Sequence, residues 1–531
     1  MKGRYPGRLR ADHFTVTNKR KRKEILILLF CLLTGFALRF YTFDQKSLWV
    51  DEIYTFNDAG YNLRDELKFY KEDPTYLQAP LFFVLTHLFY PFTRPERDLR
   101  IVPLIFGVLS IPMFYLLSRS FSPPIALPCT LSLTFMAYHI SLSQEGRSYS
   151  MLMFLGMVSL YFFMKHLKTL KKRYLILVAL FLAILFHTSY CTIPFIALSQ
   201  LLWFYRTNEE DKIPRFSSFL ILNSILLLLC FPWILFIVLN YKGQPLMDPF
   251  HTEGTGSFLS ILYWILHDWL SHAPLIIASV ILFIFFPFFS KTKKNAFFLL
   301  AVCFLPVAGL YLFCKVLNLT HFVTSRYFIN FLPLFFITLY LSLHSIEVRF
   351  ERLRSLMRLK VFFVILFIAS NLVILPLYYC SEKQDFRGLV TYLKTHLREG
   401  DKILDWELGY IPGILHYFGV YPEDRHYRIP FWRVSETEIE LRKSFVYQNR
   451  PFTIYYSKDC CAQYVADGSR LWIVVGKGKA KKMKQDRHFI LKGYFDGSFL
   501  NFDRFPKDAS MYLFLFDPQS KDEKGIDIPI E

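Results

Sequence analysis

The chain has 531 residues, of which 53% are hydrophobic and only 20% charged, with 58 Phe and 32 Tyr. This composition excludes a disordered chain, a coiled coil and a disulfide-knotted secreted module, and so much apolar surface cannot be hidden in one soluble core. The formal net charge is +19, but the basic residues sit in short clusters between apolar runs, which is a membrane-topology pattern rather than a nucleic-acid footprint.

A helix needs roughly 20 apolar residues to cross the hydrocarbon core. About eleven runs qualify as candidates: Ile25–Tyr41, Leu99–Leu117, Ile125–Leu142, Ser148–Met164, Tyr174–Phe186, Cys191–Tyr205, Phe216–Asn240, Ala273–Phe289, Ala296–Val316, Tyr327–Leu343 and Val361–Tyr379. The expected fold is therefore a multi-pass α-helical membrane protein. If every run crosses once, the basic segments Lys19–Lys23, Lys165–Arg173, Lys291–Lys294 and Arg349–Lys360 share one side. The acidic or near-neutral segments Asp44–Asp98, Ser143–Arg147, Tyr241–His272 and Leu317–Arg326 share the other. The positive-inside rule then puts residues 1–24 in the cytoplasm and everything after the last run outside. The first run lacks a small-residue cleavage site and reads as a start-transfer anchor.

Residues 25–380 form the membrane domain in this reading, with a large first outer loop at 42–98. Within that loop Pro80–Phe92 is apolar but too short to span, and reads as a helix in the outer interface or dipping back in; Phe258–Leu270 reads the same way. Residues 381–531 are polar and carry strand-like runs at 471–475 and 511–515. A helix over Leu389–Leu397, a turn at Glu399-Gly400-Asp401 and a strand at Lys402-Ile403-Leu404 predict an extracytoplasmic α/β domain. Most of the nine cysteines lie in apolar runs as small hydrophobes. Cys460 and Cys461 are adjacent, and a link from one of them to Cys380 stays open.

Charged residues at the outer ends of spans are costly and mark pathways, ligands or partners. The first set is Ser47-Leu48-Trp49-Val50-Asp51-Glu52, either a solvated acidic loop or a pair in which one acid takes a proton and the other orients a neighbour. The second is Ser143-Gln144-Glu145-Gly146-Arg147-Ser148-Tyr149, either a tight turn with an internal ion pair or part of a site. The third is His321–Tyr327, where Arg326 is either a snorkelling arginine or a phosphate fork. Arg39 and Arg100 share that ambiguity. Several carboxylates and arginines at bilayer depth suit a substrate with an anionic phosphate and a lipid tail.

The chain resembles the multi-spanning glycosyltransferases of the type C fold that use a polyprenyl-phosphate sugar, including the protein O-mannosyltransferases and the lipid A aminoarabinose transferase. The resemblance is carried by Leu38-Arg39, Ser47–Glu52, Ala79-Pro80-Leu81, Leu99–Pro103 with Gly107, Ser143–Tyr149, Ser325-Arg326-Tyr327, and Lys383–Gly388 with Tyr392-Leu393. It departs from the family at Gln78-Ala79-Pro80-Leu81, where His-Pro-Pro-Leu is frequent, and at Glu145, where Asp is frequent. It implies that Asp51 is the catalytic carboxylate with Glu52 beside it. It further implies that Glu145, Arg147, Tyr149, Arg326 and Tyr327 bind the donor and its phosphate.

The expected reaction is sugar transfer, with inversion, from a polyprenyl-phosphate donor to a hydroxyl of a lipid, glycan or protein acceptor. The expected setting is the outer face of a bacterial plasma (inner) membrane. No Gly-x-x-x-x-Gly-Lys phosphate loop is present, and no nucleic acid is expected as a partner. A divalent cation bridging phosphate and carboxylate is compatible with these residues, though no ligand set demands one. The alternative reading is a lipid or solute transporter; the chain lacks the internal symmetry that such folds often show. A scaffold with a partner-binding outer domain is a third, for which so many spans are excessive.

Overall fold

The structure, a computed structural model, describes residues 7–72, 78–205, 216–240, 256–290, 292–316, 323–350, 358–406, 409–420, 441–456, 468–497, 509–518 and 524–530. Cys460 and Cys461 lie outside the described residues.

Every one of the apolar runs is helical. Among the described residues, six helices are each long and apolar enough to cross a bilayer: Pro95–Phe121, Tyr149–Thr169, Phe216–Asn240, Lys293–Val316, Ser325–Arg349 and Leu359–Cys380. Two bent pairs, Pro123–Phe135 with Ala137–Ser143 and Phe258–Leu270 with Ala273–Phe289, have the composition of a span but bend sharply, and bring the number up to eight if each is one broken span rather than a re-entrant loop. The reading of about eleven crossings thus meets eleven helical runs, of which, among the described residues, six qualify as spans on length and composition, or up to eight if each bent pair crosses once. The helix Lys172–Thr188 has 17 residues, roughly 26 Å at 1.5 Å per residue, short of the ~30 Å hydrocarbon core. Tyr190–Phe204 is a succession of short turns, and Gly7–Phe40 is apolar only from Ile25 onward. The protein is an integral membrane protein.

The bundle has a centre and a periphery. In the most apolar stretches of Tyr149–Thr169 and Ser325–Arg349, 78% of residues are buried inside the protein, against 17% in Phe216–Asn240. Lipid is as apolar as a protein core, so hydropathy marks both kinds of helix alike, and side-chain packing decides which lies inside. Gly107 lets the helix Ile101–Phe121 approach Ala137–Ser143 closely: a Cβ there would stand 2.2 Å from Ser143 Oγ.

Two interruptions of the bundle meet at the same side chain. Between Ala126–Phe135 and Ala137–Ser143 the axis bends by 60° at Met136. Backbone groups released at such a break need partners where no water reaches. Asn371 Oδ1 accepts the Ala137 N–H at 2.8 Å, and Arg39 donates to the carbonyls of Leu133 (2.9 Å) and Thr134 (3.2 Å). Asn371 Oδ1 also accepts the hydroxyl of Ser271 (3.2 Å), which sits at the second, 107° bend with φ 69°. Arg39 is fully buried. It serves the bundle's own backbone, which resolves its ambiguity in favour of structure.

Beyond the last span lies a six-stranded sheet: β1 Lys402–Asp405, β2 Leu441–Tyr447, β3 Arg450–Tyr456, β4 Leu471–Val475, β5 Ile490–Phe495 and β6 Met511–Phe516. Its order is β2-β3-β1-β4-β6-β5, with β1 parallel to both β3 and β4 and the outer pairs antiparallel. The apolar run Leu471–Val475 is buried throughout because it serves two cores. Trp472 and Val474 face one of them, while Leu471, Ile473 and Val475 face the other. The helix Phe386–His396 precedes β1, as the sequence predicts. At the end of β1 the buried Asp405 accepts the N–H groups of Tyr410 and Ile411 (2.8 and 2.9 Å), capping the helix Ile411–Phe418.

Candidate active site

After Gly7–Phe40 the chain loops through residues 41–49 and enters the helix Val50–Ala59. Asp51 and Glu52 occupy its first turn, where exposed N–H groups favour carboxylates. Successive helical residues point about 100° apart, so the two acids meet different surroundings.

Glu52 points inward and is 1% exposed; its partner Arg100 is 2% exposed. Arg100 donates to both carboxylate oxygens, each at 2.7 Å. Its remaining N–H groups reach the carbonyls of Phe43, Lys46 and Ser47, each at 3.0 Å. All five donors of the guanidinium are thereby used. Glu52 also accepts the backbone N–H of Gly146 (2.6 Å) and of Trp49 (3.3 Å). This buried pair fastens the loop before Asp51 to the Ser143–Tyr149 segment. Arg100 thus spends its donors on Glu52 and on loop carbonyls, and Glu52 faces the interior rather than the open side.

Asp51 turns toward the open side, with 29% of its side chain exposed. Arg326 Nη1 lies 3.6 Å from Asp51 Oδ2 and 3.7 Å from Glu145 Oε1. Lys383 Nζ donates to Glu145 Oε2 at 3.2 Å. Aromatic faces line these cations: Arg326 Cζ stands 5.3 Å from the Trp49 ring centre and 5.4 Å from that of Tyr149, and Lys383 Nζ lies 3.6 Å over Trp49. Asp51, Glu145, Tyr149 and Arg326, drawn from three separate stretches of the chain, are therefore one cluster.

The remaining candidates support it. Arg147 donates to the Asp51 carbonyl (3.3 Å) and to Thr55 Oγ1 (3.2 Å), bracing the helix that carries Asp51. Tyr327 follows Arg326 in the turn Ser325–Phe331 and packs against the helical core. Ser325 donates to the buried Asp268 at 2.6 Å and is met by the Tyr138 hydroxyl at 2.8 Å, which fixes the backbone next to Arg326. Among the described residues, no group of three or more His, Cys, Asp and Glu side chains is placed to hold a metal ion.

The sheet domain closes on this cluster. Glu382 accepts the Ser47 N–H and Gln384 accepts the Val50 N–H, both at 3.0 Å. The Tyr417 hydroxyl accepts the Leu48 N–H (2.7 Å) and donates to Glu96 (2.9 Å), which also pairs with Arg387 at 2.7 Å. Leu48, Ile53 and Leu99 are part of the sheet domain's apolar core. Burial pulls the Lys46 ammonium down to about 7 and pushes the Glu382 carboxyl up to about 7, each opposed by the other's charge. Burial likewise lowers His416, which packs edge-on against Phe56, to about 4.

Among solved structures, the chain is similar to ArnT from Cupriavidus metallidurans in the apo state, with a TM-score of 0.51 at 9% identity, covering 94% of this chain and 99% of that one. The chain has a type C glycosyltransferase fold. The same ArnT bound to undecaprenyl phosphate matches with a TM-score of 0.48 at 9% identity over 95% and 99% of the two chains. An oligosaccharyltransferase from Archaeoglobus fulgidus, in complex with Zn and sulfate, matches with 0.41 at 12% identity over 73% and 61%. No protein-family model matches the chain, and none of the curated proteins does.

The cluster also draws on residues that sequence reasoning did not place there: Lys383, Gln384, Tyr138 and Asp268. Lys383 meets Glu145 across 238 positions, and Tyr138 meets Ser325 across 187. No local spacing announces such contacts; only the run of motif-like residues after the last span hinted at the first.

Proposed function

We propose that the protein transfers a sugar from a polyprenyl-phosphate donor to a hydroxyl of a lipid, glycan or protein acceptor, on the outer face of a bacterial plasma membrane. The observation that carries this reading is the Arg326 guanidinium between the carboxylates of Asp51 and Glu145, in a partly open, aromatic-walled cluster at the end of the bundle. A guanidinium there suits a lipid phosphate, and an exposed carboxylate beside it suits a proton acceptor. The type C fold agrees with this assignment, and an outer cluster is what the basic loops favour when every apolar run crosses once.

In the reaction, Asp51 takes the proton of the acceptor hydroxyl as its oxygen bonds to the anomeric carbon. The bond from that carbon to the phosphate oxygen breaks on the opposite face, and its electron pair leaves with the lipid phosphate. The anomeric centre inverts. Arg326 stabilises the charge that grows on the phosphate. Glu145 sets the position of Arg326, while Glu52 and Arg147 hold Asp51 in place. General-base catalysis of this kind contributes about 10²–10⁴-fold to rate.

Mass spectrometry of envelope lipids and surface glycans from cells carrying the wild-type chain or Asp51→Asn tests this reading. The expected result is one glycoconjugate that loses a sugar in the variant while the polyprenyl-phosphate sugar accumulates. Identical profiles would remove the assignment.

A further inference from the structure

We propose that Lys383 is a second cation of the donor-phosphate site, so that the linker into the sheet domain completes a site the membrane helices begin. The proposal rests on the donor reading above and adds a residue to it. Four charged groups stand in a row: Asp51, Arg326, Glu145 and Lys383, with successive separations of 3.6, 3.7 and 3.2 Å. Two acids and two cations balance. A bound sugar phosphodiester adds one negative charge, and breaking its anomeric bond adds another. Arg326 already faces two carboxylates, and Arg147 donates to the Asp51 carbonyl and Thr55 Oγ1, so a further cation on the Glu145 side helps to balance a dianionic leaving group.

Lys383 is built for the second part. Its side chain is 23% exposed, so it borders the open side. An ammonium has three donors and can bond Glu145 and a phosphate oxygen at once. Its two chain neighbours dock through their side chains: the Glu382 carboxylate accepts the Ser47 N–H and the Gln384 amide oxygen accepts the Val50 N–H. Its Nζ rests 3.6 Å over the Trp49 ring, and Trp49 lies two positions before Asp51. Three consecutive residues of the linker thus grip the segment that presents the catalytic carboxylate.

The competing explanation is that Lys383 is only the counter-ion of Glu145. Binding of undecaprenyl phosphate, and of undecaprenol as the uncharged control, to the full chain in lipid nanodiscs separates the two. Lys383→Met is expected to weaken undecaprenyl phosphate binding about 10- to 100-fold, the range of a charge-assisted hydrogen bond. Undecaprenol binding should not change, and Lys383→Arg should restore most of the loss. In a Glu145→Gln background the same loss should persist, because the lysine still meets the phosphate. If the loss disappears in that background, or if Lys383→Met binds the phosphate lipid as the wild type does while Arg326→Ala does not, Lys383 is a counter-ion and the donor reading survives without it. A wild-type chain that binds undecaprenol as tightly as its phosphate overturns both.

Discussion

Replacing Glu52 with Gln, and separately Asp51 with Asn, changes two adjacent carboxylates by the same chemistry, yet the structure gives them opposite consequences. Glu52 accepts four hydrogen bonds, two from Arg100 and two from the backbone N–H groups of Trp49 and Gly146. A glutamine amide turns one of its two ends into a donor facing donors, and leaves the buried Arg100 without its counter-charge. Breaking a buried pair by removing one partner costs about 3–5 kcal/mol, a large part of the ~5–15 kcal/mol that holds a folded domain. Asp51 is 29% exposed and faces Arg326 at 3.6 Å, while Arg326 keeps Glu145 as a second partner. Losing its charge costs about 1 kcal/mol or less. Thermal unfolding of detergent-purified protein, followed by tryptophan fluorescence, should show the midpoint falling by several degrees in Glu52→Gln and barely moving in Asp51→Asn. Sugar transfer should be abolished in Asp51→Asn despite its intact fold. Equal stability in the two variants, or a larger loss in Asp51→Asn, would refute the division of labour between them.

Arg326→Ala should weaken polyprenyl-phosphate binding about 10- to 100-fold, with Arg326→Lys retaining part of it; unchanged affinity in equilibrium binding would take the residue out of the phosphate site. His416 is neutral in the folded protein because its value falls from an ordinary 6.5 to about 4. The unfolded chain binds the extra proton first, so stability should drop as pH falls from about 6.5 toward 4, by on the order of 3 kcal/mol at most. In thermal midpoints measured across that window, His416→Phe should flatten the slope; an unchanged slope would exclude this histidine as its source. Gly107→Ala places a Cβ 2.2 Å from Ser143 Oγ and should cost roughly 1–3 kcal/mol as an overpacked contact, visible as a lower midpoint. A neutral substitution would show that the two helices separate freely.

The helical elements were readable because apolar runs are long and charge-free, and the strand-like runs at 471–475 and 511–515 became β4 and β6 because they are apolar but short and set in polar sequence. The number of crossings was less readable: a run such as Tyr190–Phe204 has the composition of a span without the length. The sequence named Asp51, Glu145 and Arg326 as candidates, but not that they meet one another or that Lys383 joins Glu145. Which of two neighbouring acids meets Arg100 depends on how the helix Val50–Ala59 is rotated against the bundle, and that is fixed by packing of Ile53 and Leu48 in the sheet domain's core. Arg39 and Arg100 looked alike in sequence as basic residues at span ends. One bonds backbone carbonyls at a helix break and the other bonds a carboxylate and loop carbonyls, distinctions that require the third dimension.

An electron cryomicroscopy structure of the chain in lipid nanodiscs with undecaprenyl phosphate addresses the central claim most directly. The account predicts phosphate density within hydrogen-bonding distance of Arg326, beside the Asp51 carboxylate, with the lipid tail running into the bundle's membrane face. Phosphate bound at the opposite end of the helices, or ordered lipid phosphate that leaves Arg326 untouched, would contradict it.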